Sequence, residues 1–319
     1  MSNDMSVSAS TKIPVSEITT FHTASESSKA ASADAGGDFH ELVIQPSKGW
    51  IGVDWWELFR FRELLYFLVW RDVKVRYKQA ILGIGWAVLD PIMNMILFTA
   101  IFGVALGMHS KLPPGLPFAV FIFAGLIPWK LFSTGLTQGG MSLVNQQHML
   151  SKIYFPRLFI PPSAVGSALV DMALQFGVFA ALMVIYQYRP AWTIVFIPPL
   201  ILLTMVMSSG IAYLLSALTI TYRDFRFLIP VVSQIWMWLS FIQMPTPESI
   251  QNNSKWQVLL TANPMYGIVS AFRAAITGET ATVGFRPMYL VSSILISAAV
   301  FVLGLFYFRK TEKRFADIA

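Results

Sequence analysis

The chain has 319 residues, 55% of them hydrophobic and only 13% charged, with a mean hydropathy of +0.60. That charge content is about half the usual value for soluble domains, which excludes an ordinary water-facing surface of this size. The net charge of +6 sits in basic residues flanking apolar runs, a pattern of membrane orientation rather than of nucleic-acid binding. There are no cysteines, which excludes disulfides and thiolate chemistry, and the four histidines are scattered without a metal-ligand spacing.

Residues 1–49 read as a disordered polar tail. Up to residue 38 they are rich in Ser, Thr and Ala and hold few large apolar side chains to offset the entropy of ordering. No apolar stretch marks a signal peptide. Residues 50–80 change character. Trp55, Phe59, Leu65, Tyr66 and Val69 gather toward one side of a helix, with Arg60 and Glu63 elsewhere. The segment is too charged to cross a bilayer and predicts an amphipathic helix in the headgroup region, followed by a basic approach to the first span.

Residues 81–319 predict a six-helix membrane domain. A span needs ~20 mainly apolar residues, because the hydrocarbon core is ~30 Å thick. Stretches 82–107, 117–136, 162–186, 194–219, 227–244 and 288–308 meet that requirement. The second contains Lys130 and runs into the polar string STGLTQGG. With the N-terminus in the cytoplasm, fourteen Lys and Arg lie on the inner side and five on the outer, which places both termini inside. Residues 256–272 are uncharged but broken by Asn263-Pro264 and Gly267. They predict a re-entrant or interfacial helical segment before the last span, since irregular backbone at membrane depth must be buried in protein or face water. An ordinary outer loop is the other reading.

No phosphate-cradling G-x-x-x-x-G-K-[ST] occurs, nor a nucleophile elbow or a metalloprotease motif. Any work must draw its energy from a partner or an ion gradient. Asp90 and Asp171 are the acids within spans, and each is expected to face protein or water. Asp171 lies deeper and is a candidate for the transport path, or for a hydrogen bond to a neighbouring helix. Two isolated acids make a poor proton relay.

Several strings resemble ABC-2-type permeases that export O-antigen, capsule or teichoic-acid polymers. RDVKVRYKQAILGIGWAVLDP (71–91) resembles that family's approach to its first span, and FAGLIPWKLF (123–132) its second span. SKIYFPRLFIPPSAV (151–165) and TYRDFRFLIP (221–230) resemble its two cytoplasmic turns. NPMYGIVSAFR (263–273) resembles the segment before its last span, and the order is kept over 55–319. Asp90 stands where a glutamine is more usual, and Phe241 follows Ser240 where a proline often does.

The resemblance implies an all-α permease of the type V exporter kind, exporting lipid-linked polysaccharide across the bacterial inner membrane as a homodimer. Two copies of a separate cytoplasmic ABC ATPase would bind ATP and Mg. The chain itself would hold no cofactor and catalyse nothing. A permease for a lipid or drug is the alternative. Docking on the ATPase falls to Gln147, His148, Lys152, Tyr154, Phe155, Pro156 and Arg157, an apolar tip ringed by charge, with Arg223 and Asp224 as a further contact. A sugar polymer offers apolar C–H faces, which flat aromatics can carry without gripping. Trp236, Trp238, Phe241, Tyr266 and Phe272 are the candidates, with Trp129 and Tyr213 behind them, although aromatics also form anchoring belts at membrane interfaces. Arg71, Lys74, Arg76 and Lys78 could attract a phosphate headgroup, or simply anchor the inner face.

Overall fold

The computed structural model describes residues 62–78, 85–147, 156–278, 280 and 283–312. The expectations for the polar tail, for the helix up to residue 61 and for the turn at 148–155 lie outside these. All regular structure among the described residues is helical. In chain order the elements are α1 (Arg62–Lys78), α2 (Gly85–Ala105), α3 (Phe118–Asn145), α4 (Arg157–Ile185), α5 (Trp192–Thr221), α6 (Phe225–Leu239), α7 (Glu248–Gln251), α8 (Ser254–Ala262), α9 (Pro264–Thr277) and α10 (Pro287–Glu312).

Five of these, α2, α3, α4, α5 and α10, are long and apolar enough to cross a membrane. The shortest has 21 residues, which at ~1.5 Å per residue covers about 32 Å. In four of the five, no more than 39% of the most apolar window is buried; in α3 it is 89%. Thus α3 is the central helix, with α2, α4, α5 and α9 packed around it. The outer helices turn Met93, Ile96, Val184, Leu202, Leu295 and Leu303 outward, as lipid-facing surfaces require.

Without a hydrophobic force between helices in lipid, association rests on close approach of small residues. The π-helical turn Gly135–Gly139 of α3 meets α5 in this way. A methyl group on Gly135 would lie 2.7 Å from Ser208 Cβ, and one on Gly139 2.5 Å from Ala212 Cβ. On the opposite face of α5, Gly210 meets Gly304 of α10, where a methyl group would lie 2.1 Å from the Gly210 carbonyl oxygen. The polar string after Phe132 therefore does not end the second helix; it extends it, through a π turn, to Asn145.

The stretch 227–244 is realised as α6, which has 15 residues and stops at Leu239. At ~1.5 Å per residue that is about 22 Å, short of the ~30 Å core. Phe241 adopts a left-handed φ of 49°, which turns the chain. The carbonyls freed at this helix end need partners. Asn263 Nδ2 donates to Leu239 O at 3.1 Å and to Ser240 Oγ at 3.1 Å. Arg273 donates to Phe241 O at 3.1 Å and Ile242 O at 2.6 Å, and to Phe121 O at 3.2 Å. Its guanidinium lies 3.8 Å from the Phe121 ring centroid. Arg273 is 2% exposed, so carbonyl dipoles and one aromatic face hold this buried cation.

The segment 256–272 breaks into α8 and α9 at Asn263. Its side chain accepts from the Met265 and Tyr266 amides, and Pro264 opens α9 where no amide donor is needed. α9 is buried from Pro264 to Ile276 and packs on α3 and α10.

Candidate functional site

α1 is tied to the first half of α4. Val69 packs on Gly166, and Leu68 and Val73 are buried, whereas Tyr66, Phe67, Trp70 and Val75 point outward. The buried face thus runs through Leu68, Asp72 and Arg76, at helical spacing, and Tyr66 lies off it. Asp72 accepts from Arg71 at 2.7 Å and from Ser163 Oγ at 3.2 Å. One turn on, Arg76 pairs with Asp171 of α4, donates to Ser167 Oγ at 2.9 Å, and reaches Gln138 of α3. Tyr77 donates to the same Asp171 carboxylate. Burial, with the hydrogen bond to Asp171, holds the Tyr77 phenol above its ordinary pKa.

This junction closes one end of a groove of about 850 Å³ between α1, α2, α3, α4 and α6. Along α3 its wall is Lys130, Ser133, Thr134, Thr137 and Gln138, spaced so that one helix face is polar. The π turn widens the helix at Thr137 and Gln138 and brings both successive side chains to the wall. α2 supplies Trp86, Asp90 and Asn94; α6 supplies Ser233, Gln234, Met237 and Trp238. Lys130 Nζ donates to Asp90 Oδ2 at 2.5 Å across the groove, and Asn94 Nδ2 donates to Asp90 O at 2.9 Å. Pro91 follows Asp90 within α2 and also lines the groove.

Of the aromatics expected along a path, Trp238 lines the groove, 45% exposed, with its ring 6.1 Å from Phe102. Trp129 also lines it. Trp236 turns inward, donates to Asn263 Oδ1 at 2.9 Å and stands edge-on to Phe132. Phe241 stacks edge-on to Tyr266. Tyr266 is buried and donates to Gly284 O at 3.2 Å; Phe272 is fully buried. Tyr213 is buried and donates to Leu158 O at 3.1 Å. These five lie in the packing of the bundle, off the groove lining. Asp171 lies on the lining, at the Arg76 junction.

Among the basic residues, Arg71 and Arg76 turn to carboxylates, while Lys74 and Lys78 are exposed, Lys74 lying 5.4 Å from the Trp70 ring centroid. His148, Lys152, Tyr154 and Phe155 lie outside the described residues. Gln147 is the last described residue before the turn, two positions beyond the end of α3. Pro156 precedes the first turn of α4, and Arg157 donates to Glu312 O at 3.4 Å, tying this turn to the end of α10. Arg223 and Asp224 form an exposed turn between α5 and α6. No cluster of three metal-ligating side chains occurs among the described residues.

Sequence reasoning passed over Trp86, Asn94, Ser233, Gln234 and the hydroxyl face of α3. The signal for the last was present: Lys130, Ser133, Thr137 and Gln138 recur at helical spacing within an otherwise apolar helix.

Five helices long and apolar enough to cross a membrane, with a polar groove among them, make this an integral membrane protein. The chain belongs to the ABC-2 type transporter family, which matches residues 63–277. It is similar to the O-antigen export system permease protein RfbA of Myxococcus xanthus, 29% identical over 68% of this chain and 82% of that protein. A protein of the same name from Klebsiella pneumoniae is 26% identical over 80% of this chain and 95% of its own length. The polysialic acid transport protein KpsM of Escherichia coli is 25% identical over 76% and 91%.

Proposed function

We propose that this chain is the permease subunit of an ABC exporter that moves lipid-linked polysaccharide, an O-antigen or capsular polymer, across the bacterial inner membrane. Two copies form the channel, and two copies of a separate cytoplasmic ATPase bind ATP and Mg and drive it. Both termini face the cytoplasm, α6 completes a sixth crossing, and α8 and α9 form a re-entrant pair at the outer mouth. The turn that includes Gln147, Pro156 and Arg157 docks on the ATPase, with Arg223 and Asp224 beside it. Lys74 and Lys78 face the inner leaflet and draw phosphate headgroups.

The observation that carries this reading is the groove. Trp86 and Trp238 offer flat faces to sugar C–H surfaces, and the α3 stripe offers oxygens to sugar hydroxyls. The relatives named for O-antigen and polysialic acid transport support the same cargo class. Deleting the gene should remove the polymer from the cell surface and accumulate its lipid-linked form inside; the wild-type chain should restore export, and Trp238→Ala should restore it only in part. Unchanged surface polysaccharide with altered drug or lipid efflux would instead favour the permease for small substrates.

A further inference from the structure

The charges of the groove are matched one to one. Among the described residues of its lining, the cations are Arg76 and Lys130 and the anions Asp90 and Asp171. Arg76 pairs with Asp171, and Lys130 with Asp90. The second pair is open to a passing ligand: its side chains are 38% and 44% exposed, whereas those of Arg76 and Asp171 are 24% and 11% exposed. Between the pairs the wall is neutral, and its hydroxyls are aligned. Ser133 and Thr137 donate back to helix carbonyls, at 3.2 Å and 2.7 Å, which leaves their lone pairs to face the groove as acceptors.

We propose that this groove selects an uncharged, hydroxyl-rich glycan over an anionic one, and that the balance of Asp90 against Lys130 keeps it so by leaving no unpaired cation to receive an anion. The proposal rests on reading the groove as the export path. A polyanion entering it finds both cations already neutralised by carboxylates, so each anionic group gives up water with no unpaired partner to receive it. A neutral polyhydroxyl chain meets only acceptors, amides and indole faces, which exchange for water at little cost.

The test uses the full chain with its ATPase in proteoliposomes and two lipid-linked glycans of equal length and identical anchor, one neutral and one bearing a carboxylate on each repeat. Wild type should export the neutral polymer about tenfold or more faster, because each anionic group would give up hydration that nothing in the groove replaces. Asp90→Asn, which leaves Lys130 uncompensated, should raise the anionic-to-neutral ratio. Lys130→Gln, which leaves Asp90 bare, should lower it. The double variant, neutral again, should return to the wild-type ratio. Damage to packing would move both single variants in one direction and would not be reversed in the double. Equal export of both glycans by wild type, or a ratio that does not follow the sign of the charge, overturns the selectivity while leaving the exporter reading intact. Export of neither glycan overturns the exporter reading itself.

Discussion

Arg273 and Asn263 show what single polar side chains do in this bundle. Together they satisfy the carbonyls left free where α6 stops, and Asn263 also caps α9 and receives the Trp236 indole. Replacing Arg273 with Met removes three donors from buried carbonyls at a cost of about 1–3 kcal/mol for each group left unsatisfied. A clear fall in thermal unfolding temperature in detergent is expected, and Arg273→Lys, which cannot span the three acceptors, should recover little of it. The Arg76–Asp171 contact yields to a charge exchange. Arg76→Asp and Asp171→Arg should each lower stability and export, and the combined exchange should recover part of both. Arg157 is placed differently, at the junction of the first turn with the end of α10. Arg157→Glu should reduce export while leaving the dimer intact by size-exclusion chromatography, and normal export would remove it from the docking surface.

The helices are legible in the sequence wherever apolar length decides them, and less so where polar residues serve a purpose inside the membrane. Lys130 and the string after Phe132 count against the second helix as a span, because polar residues raise the cost of insertion. In the bundle these same residues line the groove, and α3 is the most buried of the five long helices. The break at Asn263-Pro264 is readable because Asn caps a helix and Pro opens one. The end of α6 is not, because it depends on Arg273, 34 residues after Leu239 in the sequence. Tyr266 and Phe272 resemble path residues by type, but periodicity does not tell a core-facing aromatic from a groove-facing one. The α5–α10 crossing gives the sharpest prediction at this scale. Gly304→Leu cannot fit against the Gly210 carbonyl, so overpacking of about 1–3 kcal/mol or more should appear as loss of folded protein from the membrane fraction.

For the whole molecule, the chain's lack of cysteine makes single-cysteine labelling free of background. Under the proposed orientation, with both termini in the cytoplasm, a cysteine at Lys255 should react with an impermeant maleimide in whole cells, and one at Arg223 only after the membrane is opened. The reverse pattern would invert the topology. The groove joins the polar face of α3, the short α6 and the Arg76 junction into one cavity, and the proposed export runs through it. The most direct measurement places a cysteine at Ser233, on the groove wall, in the chain reconstituted with its ATPase and a lipid-linked polysaccharide. Polymer should cross in an ATP-dependent manner, and attaching a bulky maleimide at that position should abolish the crossing while ATP hydrolysis continues. Transport at the unmodified rate after complete labelling would contradict the assignment of this groove as the path.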